Sequence, residues 1–237
     1  MNQHDLYYYA APVTEFIPIA RREDGELLAD QLSGTHKDIY RRDAEDSLYR
    51  SWKNSLPALA EVLALGYATR GRIVVLEYCL RTKGRIDAVL CGKMKPYSKR
   101  LPGEYPSLSL VELKQWGDIK YRPSGEDGML EAFWGGEWHS KKHPSVQVLE
   151  YREAIRELVK SRISSNEEIL FHAYGYLHNT EWQDGDEYDV FRGPKFAQSV
   201  SDARLYTAKA KQAFGERLRA DTHRRNGNSA FDILQRL

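Results

Sequence analysis

Cysteine is nearly absent from this chain of 237 residues. Cys79 and Cys91 are its only two, and without CxxC spacing they cannot build a structural zinc site by themselves. Both read as reduced, small core residues. A strong net charge is missing too. Lys and Arg number 35 against 34 Asp and Glu, so the chain carries +1, and any affinity for a polyanion must come from local patches. No apolar stretch is long enough to span a bilayer, and Met1 to Tyr9 lacks the basic-then-apolar order of an export signal, which predicts a cytoplasmic protein. Nucleophile elbow, glycine-rich dinucleotide loop and Ser/His/Asp pattern are all lacking, leaving acyl and hydride transfer without support.

What remains is an ordinary globular composition, 41% hydrophobic and 29% charged, on a chain long enough for one well-buried core. Leu48, Trp52, Leu56, Leu59 and Leu63 follow a helical spacing interrupted by Pro57, predicting one kinked helix or two short ones between Ala44 and Leu65. The β-branched run Arg72 to Leu80, the turn residues Thr82, Lys83 and Gly84, and the run Arg85 to Leu90 predict a hairpin. Leu108 to Lys114 alternates like a third strand, and Pro123 to Trp138 is a loop or small flap. Pro144 suits the first turn of a helix running to about Lys160, and Glu168 to Leu177 is a buried strand. Ser201 is expected to cap a long polar helix to about Arg219, followed by a short terminal helix. The order predicts an α/β fold, αβββαβ, with a mixed central sheet flanked by helices. Residues 1–180 form the expected core with an N-terminal extension, and 181–237 a helical extension packed on it.

Three charged residues interrupt the apolar strands. Glu112 and Lys114 are two apart and share a strand face, and Asp87 closes the strand expected beside them. Two carboxylates and a lysine at neighbouring strand positions suit phosphodiester hydrolysis. Asp87 and Glu112 would hold Mg²⁺ or Mn²⁺, the Leu113 carbonyl would complete the shell, and Lys114 would orient or help deprotonate the attacking water. Gln147 and Tyr151, four apart on one helical face, would hydrogen-bond a water, a phosphate or the carboxylates. Glu77, a charge inside an apolar strand, is assigned a supporting place at the metal. Arg85, Lys93, Lys95, Lys99 and Arg100 form a basic cluster suited to a phosphate backbone, and Tyr97, Tyr105, Trp116, Trp134 and Trp138 flank it. His139 and His143, four apart but separated from a shared helical face by Pro144 and the nearby glycines, read as loop histidines, with capping of the following helix open to His143.

In this order the residues resemble the PD-(D/E)XK nuclease superfamily. Asp87 stands for its aspartate, Glu112-Leu113-Lys114 for its (D/E)xK, and Gln147 to Tyr151 for the QxxxY motif of its RecB-like branch, while Ile86 replaces the usual proline. Tyr8-Tyr9-Ala10-Ala11, Trp52, Glu77-Tyr78 and the stretch Val111 to Trp116 look more closely like the N-terminal nuclease-like region of bacterial Schlafen-type DNA/RNA helicases. The resemblance implies a restriction-endonuclease-like core and a Mg²⁺-dependent nuclease acting on DNA in preference to RNA, in phage defence or DNA processing. It also implies a helicase or ATPase domain as a partner, and no GxxxxGK(S/T) run occurs in this chain. A module of the same fold that grips nucleic acid or a protein without cutting, and an RNA-cleaving enzyme, are the alternatives.

Overall fold

A computed structural model describes residues 6–66, 70–80, 84–96, 103–117, 120–163, 168–181, 189–223 and 226–237. The chain opens with strand β1 (Tyr9–Pro12) and helices α1 (Val13–Arg21), α2 (Glu26–Tyr40) and α3 (Asp46–Leu65). Strands β2 (Ile73–Leu80), β3 (Gly84–Met94) and β4 (Tyr105–Lys114) follow. Then come β5 (Tyr121–Pro123), β6 (Met129–Trp134) and β7 (Glu137–Lys142), helix α4 (Pro144–Arg162) and strand β8 (Leu170–Leu177). The chain closes with α5 (Asp189–Arg192), α6 (Ala197–Asp202), β9 (Arg204–Thr207), α7 (Lys211–Asp221) and α8 (Asn228–Arg236).

Six strands form one mixed sheet in the order β1-β2-β3-β4-β8-β9. The first four are mutually antiparallel, and β8 and β9 add in parallel beside β4. One face is covered by α1, α2, α3 and α7, through Phe16, Leu28, Leu59 and Phe214, and the other by α4 and α8, through Val148, Ile155 and Ile233. The fold is therefore α/β with a mixed central sheet between helices, as the element order predicts. Among the described residues no helix is long and apolar enough to cross a membrane.

Pro57 lies inside α3 without dividing it. The flap is a separate three-stranded sheet, β5-β6-β7, whose Leu130 and Ala132 pack onto Leu177 and Phe191. The long polar helix expected from Ser201 to Arg219 is not formed. Its first part is the end of α6, then β9 pairs with β8 and buries Leu205 and Tyr206, and α-helix resumes at Lys211–Asp221 after a 3-10 turn at Ala208–Ala210. An open parallel edge on β8 offers Leu205-Tyr206-Thr207 backbone partners and apolar neighbours, and this outweighs local helical preference. The hairpin residues Thr82 and Lys83 lie outside the described residues.

Helices α3 and α7 cross with their backbones in contact. A Cβ on Gly215 would meet the Val62 carbonyl oxygen at 2.1 Å, and one on Gly66 would meet the Gly215 carbonyl carbon at 2.0 Å. Gly215→Ala is therefore expected to lower stability by at least about 1–3 kcal/mol, as forced overpacking does. Urea unfolding checks this, and an unchanged midpoint would refute the close crossing.

Candidate active site

The three inner strands part at one level. The β3–β4 ladder pairs Ala88 with Val111 and goes no further, leaving Asp87 beside Glu112 and Leu113 without a regular rung. The Leu113 N–H, which would otherwise be an orphan donor, donates to Asp87 Oδ2 at 2.7 Å. Between β2 and β3 the rung at Glu77 and Asp87 is also missing, although Leu76 pairs with Ala88 and Tyr78 with Ile86. Glu77 has φ 52°, a left-handed conformation that costs a non-glycine residue about 1–3 kcal/mol. Its effect on side-chain direction is visible in the cores. Val74 and Leu76 face α1 to α3, whereas Tyr78 and Leu80 face α4, so the alternation of β2 inverts at Glu77. Strand β3 inverts opposite it, with Ile86 on the α4 side and Ala88 on the α3 side.

Glu112, almost fully buried, has one oxygen on Lys114 Nζ at 2.5 Å, while Oε2 is buried without a hydrogen-bond partner among the described residues. Asp87 likewise keeps one carboxylate oxygen that Leu113 does not use. Burial pushes the Glu112 carboxyl up, the Asp87 charge pushes it further, and Lys114 opposes both. Asp87 is raised by burial against the pull of Lys114, the Leu113 N–H and Arg85. Burial works against the Lys114 cation, but Glu112 and Asp87 outweigh it and hold its pKa above the ordinary lysine value. The Lys114 ammonium also stands 5.8 Å from the centre of the Trp116 ring.

Glu77 belongs to a neighbouring chain of contacts. Its Oε1 accepts from Trp52 Nε1 at 2.9 Å and its Oε2 from Arg85 Nε at 2.6 Å. Arg85 Nη1 donates to the Tyr8 hydroxyl at 3.1 Å, and that hydroxyl lies 2.9 Å from His36 Nδ1. Both Glu77 oxygens are thus engaged, and its place here is to fix Arg85. The pair Gln147 and Tyr151 is present on the sheet-facing side of α4, with Gln147 Nε2 donating to the Tyr151 oxygen at 2.8 Å. The carboxylates of Glu112 and Asp87 raise the Tyr151 pKa after burial does, which places the phenol near them.

No family model, curated protein or solved structure matches this chain. Its functional reading rests on its own geometry. That geometry gathers Asp87, Glu112, Lys114, Gln147 and Tyr151 and sets Arg85 at the border. Of the basic cluster, it brings in Arg85 alone among the described residues. Lys93 lies toward the other end of β3, roughly 20 Å from Asp87 at strand spacing, Lys95 follows just past the end of that strand, and Lys99, Arg100 and Tyr97 lie outside the described residues. Trp134 and Trp138 are on the flap, where Trp134 stacks on His139 with centroids 3.8 Å apart. A cavity of about 770 Å³ is also elsewhere, between Leu80 and the Leu149 side of α4, and contains none of the three motif residues.

His143 caps α4 and so positions the helix that carries Gln147 and Tyr151. Its Nδ1 accepts from Ser145 N at 3.2 Å and its Nε2 lies 3.1 Å from the Phe191 carbonyl, which assigns the Nε2–H tautomer. Burial lowers its pKa from 6.5 to about 4 against that carbonyl, and burial takes His178, 2.9 Å from Ser55 Oγ, down to about 4 as well. The unfolded chain binds protons that the folded chain refuses. Stability is then full above about pH 6.5 and drains away as pH falls toward 4. Urea midpoints across that window should fall for wild type and fall less for His143→Asn, which keeps a capping oxygen. Equal slopes would remove His143 from the explanation.

Proposed function

We propose that this protein is a divalent-metal-dependent nuclease that hydrolyses DNA phosphodiester bonds, built on a restriction-endonuclease-like core. The observation that carries this reading is the pair of free carboxylate oxygens, on Asp87 and on the orphaned Oε2 of Glu112, beside the Lys114 ammonium at the level where the sheet parts. A buried carboxylate oxygen left without a donor is costly, and a hard cation is the partner that satisfies it. The local charge agrees: among the described residues, Glu77 and Glu112 are ion-paired with Arg85 and Lys114, and the Asp87 charge adds to the same cluster. Among the described residues no three His, Cys, Asp or Glu side chains form a ready cage, so Asp87 and Glu112 would hold the ion with backbone oxygen and water, an arrangement that suits Mg²⁺.

A cation bound there supplies polarisation of a phosphoryl oxygen and a water of lowered pKa. The remaining contributions come from the chain. Lys114 stays an ammonium because the carboxylates outweigh its burial, so it acts on charge developing at the phosphorus rather than as a base. Tyr151, accepting from Gln147, keeps its own O–H proton to donate toward a phosphoryl oxygen or a carboxylate. Asp87, tied to the Leu113 N–H, has a fixed direction before any substrate arrives. The order α3, β2, β3, β4, α4, β8 is the one that the resemblance implies, and it supports the same reading.

Titration of Mg²⁺ and Mn²⁺ with single-stranded DNA, duplex DNA and RNA is expected to show metal-dependent cutting of DNA that EDTA stops. Lys114→Ala and Asp87→Ala should each lower the rate by about 10²–10⁴-fold. Cutting unchanged in both variants would displace the site. Tight binding without cutting under either metal would replace the enzyme by a binding module.

A further inference from the structure

A second cavity, of about 550 Å³, opens on the other side of Arg85. It lies between the end of α2 and the start of α3 and is lined by His36, Arg42, Glu45, Ser47, Ser51 and Arg85. Its volume suits one nucleotide unit. Arg85 is two residues from Asp87 on the same strand and its charge acts on the Asp87 carboxyl, so the cavity borders the proposed cutting centre through Arg85.

The wall is pre-arranged. Arg85 is pinned at Nε by buried Glu77 and at Nη1 by Tyr8, Glu77 is held in turn by Trp52, and Tyr8 by buried His36. The Tyr40 hydroxyl accepts from Arg85 as well, and a guanidinium has five N–H donors in a rigid fork, so these contacts orient it and still leave donors over. A partly buried arginine held by a buried, strained glutamate is costly as a purely structural device. Opposite it, Arg42 is exposed and makes no hydrogen bond or ion pair among the described residues. Ser47 and Ser51 point to the cavity from successive turns of α3, and their hydroxyls have no hydrogen-bond partner among the described residues. Two acids also border it. Asp43 is occupied by Lys37 at 2.9 Å, whereas Glu45 makes no capping bond and is available to accept from a sugar hydroxyl or a base amine.

We propose that this cavity binds a phosphorylated nucleotide unit adjacent to the bond being cut, its phosphate held by Arg42 and Arg85 and its hydroxyl or amine groups by Glu45, Ser47 and Ser51. A bidentate guanidinium is the matching donor for a phosphate. The identity of the strand as substrate rests on the nuclease reading; binding in the cavity does not. The phosphate has two sources, an internal phosphodiester or a terminal phosphomonoester.

The test uses the full chain in Ca²⁺ or EDTA, where cutting is not read. Binding is measured for a 5′-phosphorylated linear oligonucleotide, its 5′-hydroxyl and 3′-phosphorylated counterparts, and a circular single strand. Arg42→Ala and Ser51→Ala should each weaken binding, Arg42→Ala by about tenfold or more, and Arg42→Lys should recover part of it. Thermal midpoints and Mn²⁺ binding should match wild type, which separates loss of the cavity from misfolding or loss of the carboxylate centre. Weakening confined to one phosphorylated end identifies the terminal source, and weakening that includes the circle identifies the internal one. Binding equal to wild type in Arg42→Ala for every ligand overturns the proposal. If no metal supports cutting by wild type while Arg42→Ala still weakens binding, the nuclease reading fails and the cavity stands.

Discussion

The Leu113 N–H has no ladder partner where β3 and β4 part, and the Asp87 carboxylate satisfies it. Most of the site follows from that one bond. It stops the strands from closing into a continuous sheet, it uses one oxygen of Asp87 and aims the other, and it sets Asp87 level with Glu112. A regular rung in its place would send the Asp87 side chain along the alternation of β3 and leave no opening between the strands. The inversion at Glu77 serves the same end from the other side, since both strands of the hairpin change face at this level. The sheet gives up two rungs and accepts one strained residue to bring carboxylates together in a buried place.

Such a gathering is unfavourable unless cations are placed with it. Lys114 and Arg85 divide this work. Lys114 is bound to Glu112 within the opening, while Arg85 is bound to Glu77 at its border and fixed again by Tyr8. Trp52 reaches in from α3 to complete the Glu77 contacts, so the helix layer packs the sheet and also tunes the charges at its fork. A second polar tie, Asn54 Nδ2 donating to Gln115 Oε1 at 3.0 Å, holds the residue after β4 to the same helix.

Strands β2, β3, β4 and β8 and helix α4 could be read from sequence because each has a strong local pattern, whether apolar alternation or proline at a helix start. The grouping of Asp87, Glu112, Lys114, Gln147 and Tyr151 followed from their positions on those elements. Helices α1 and α2 were not anticipated, although Phe16, Leu28 and Leu32 have suitable spacing, because Pro18 and the left-handed Glu23 and Asp24 break up the signal. Strand β9 depends on an edge that only the folded sheet provides. The role of Glu77 was least accessible. A left-handed glutamate in a β-branched run has no local signature, and its partners Trp52 and Arg85 are 25 and 8 residues away.

The mixed pairing of the sheet also separates its assembly in time. Strands β1 to β4 pair antiparallel with neighbours close in sequence or joined through the first helices, whereas β8 reaches β4 only after the flap and α4 have crossed over. Non-local parallel pairing bears its loop-closure entropy before any reward arrives, so topology alone predicts that the β4–β8 junction forms after the antiparallel strands. In that order of events, the apolar edge of β4 stays bare until β8 arrives. The same edge that later carries Glu112 and Lys114 is thus the segment most exposed to pairing with another chain during synthesis.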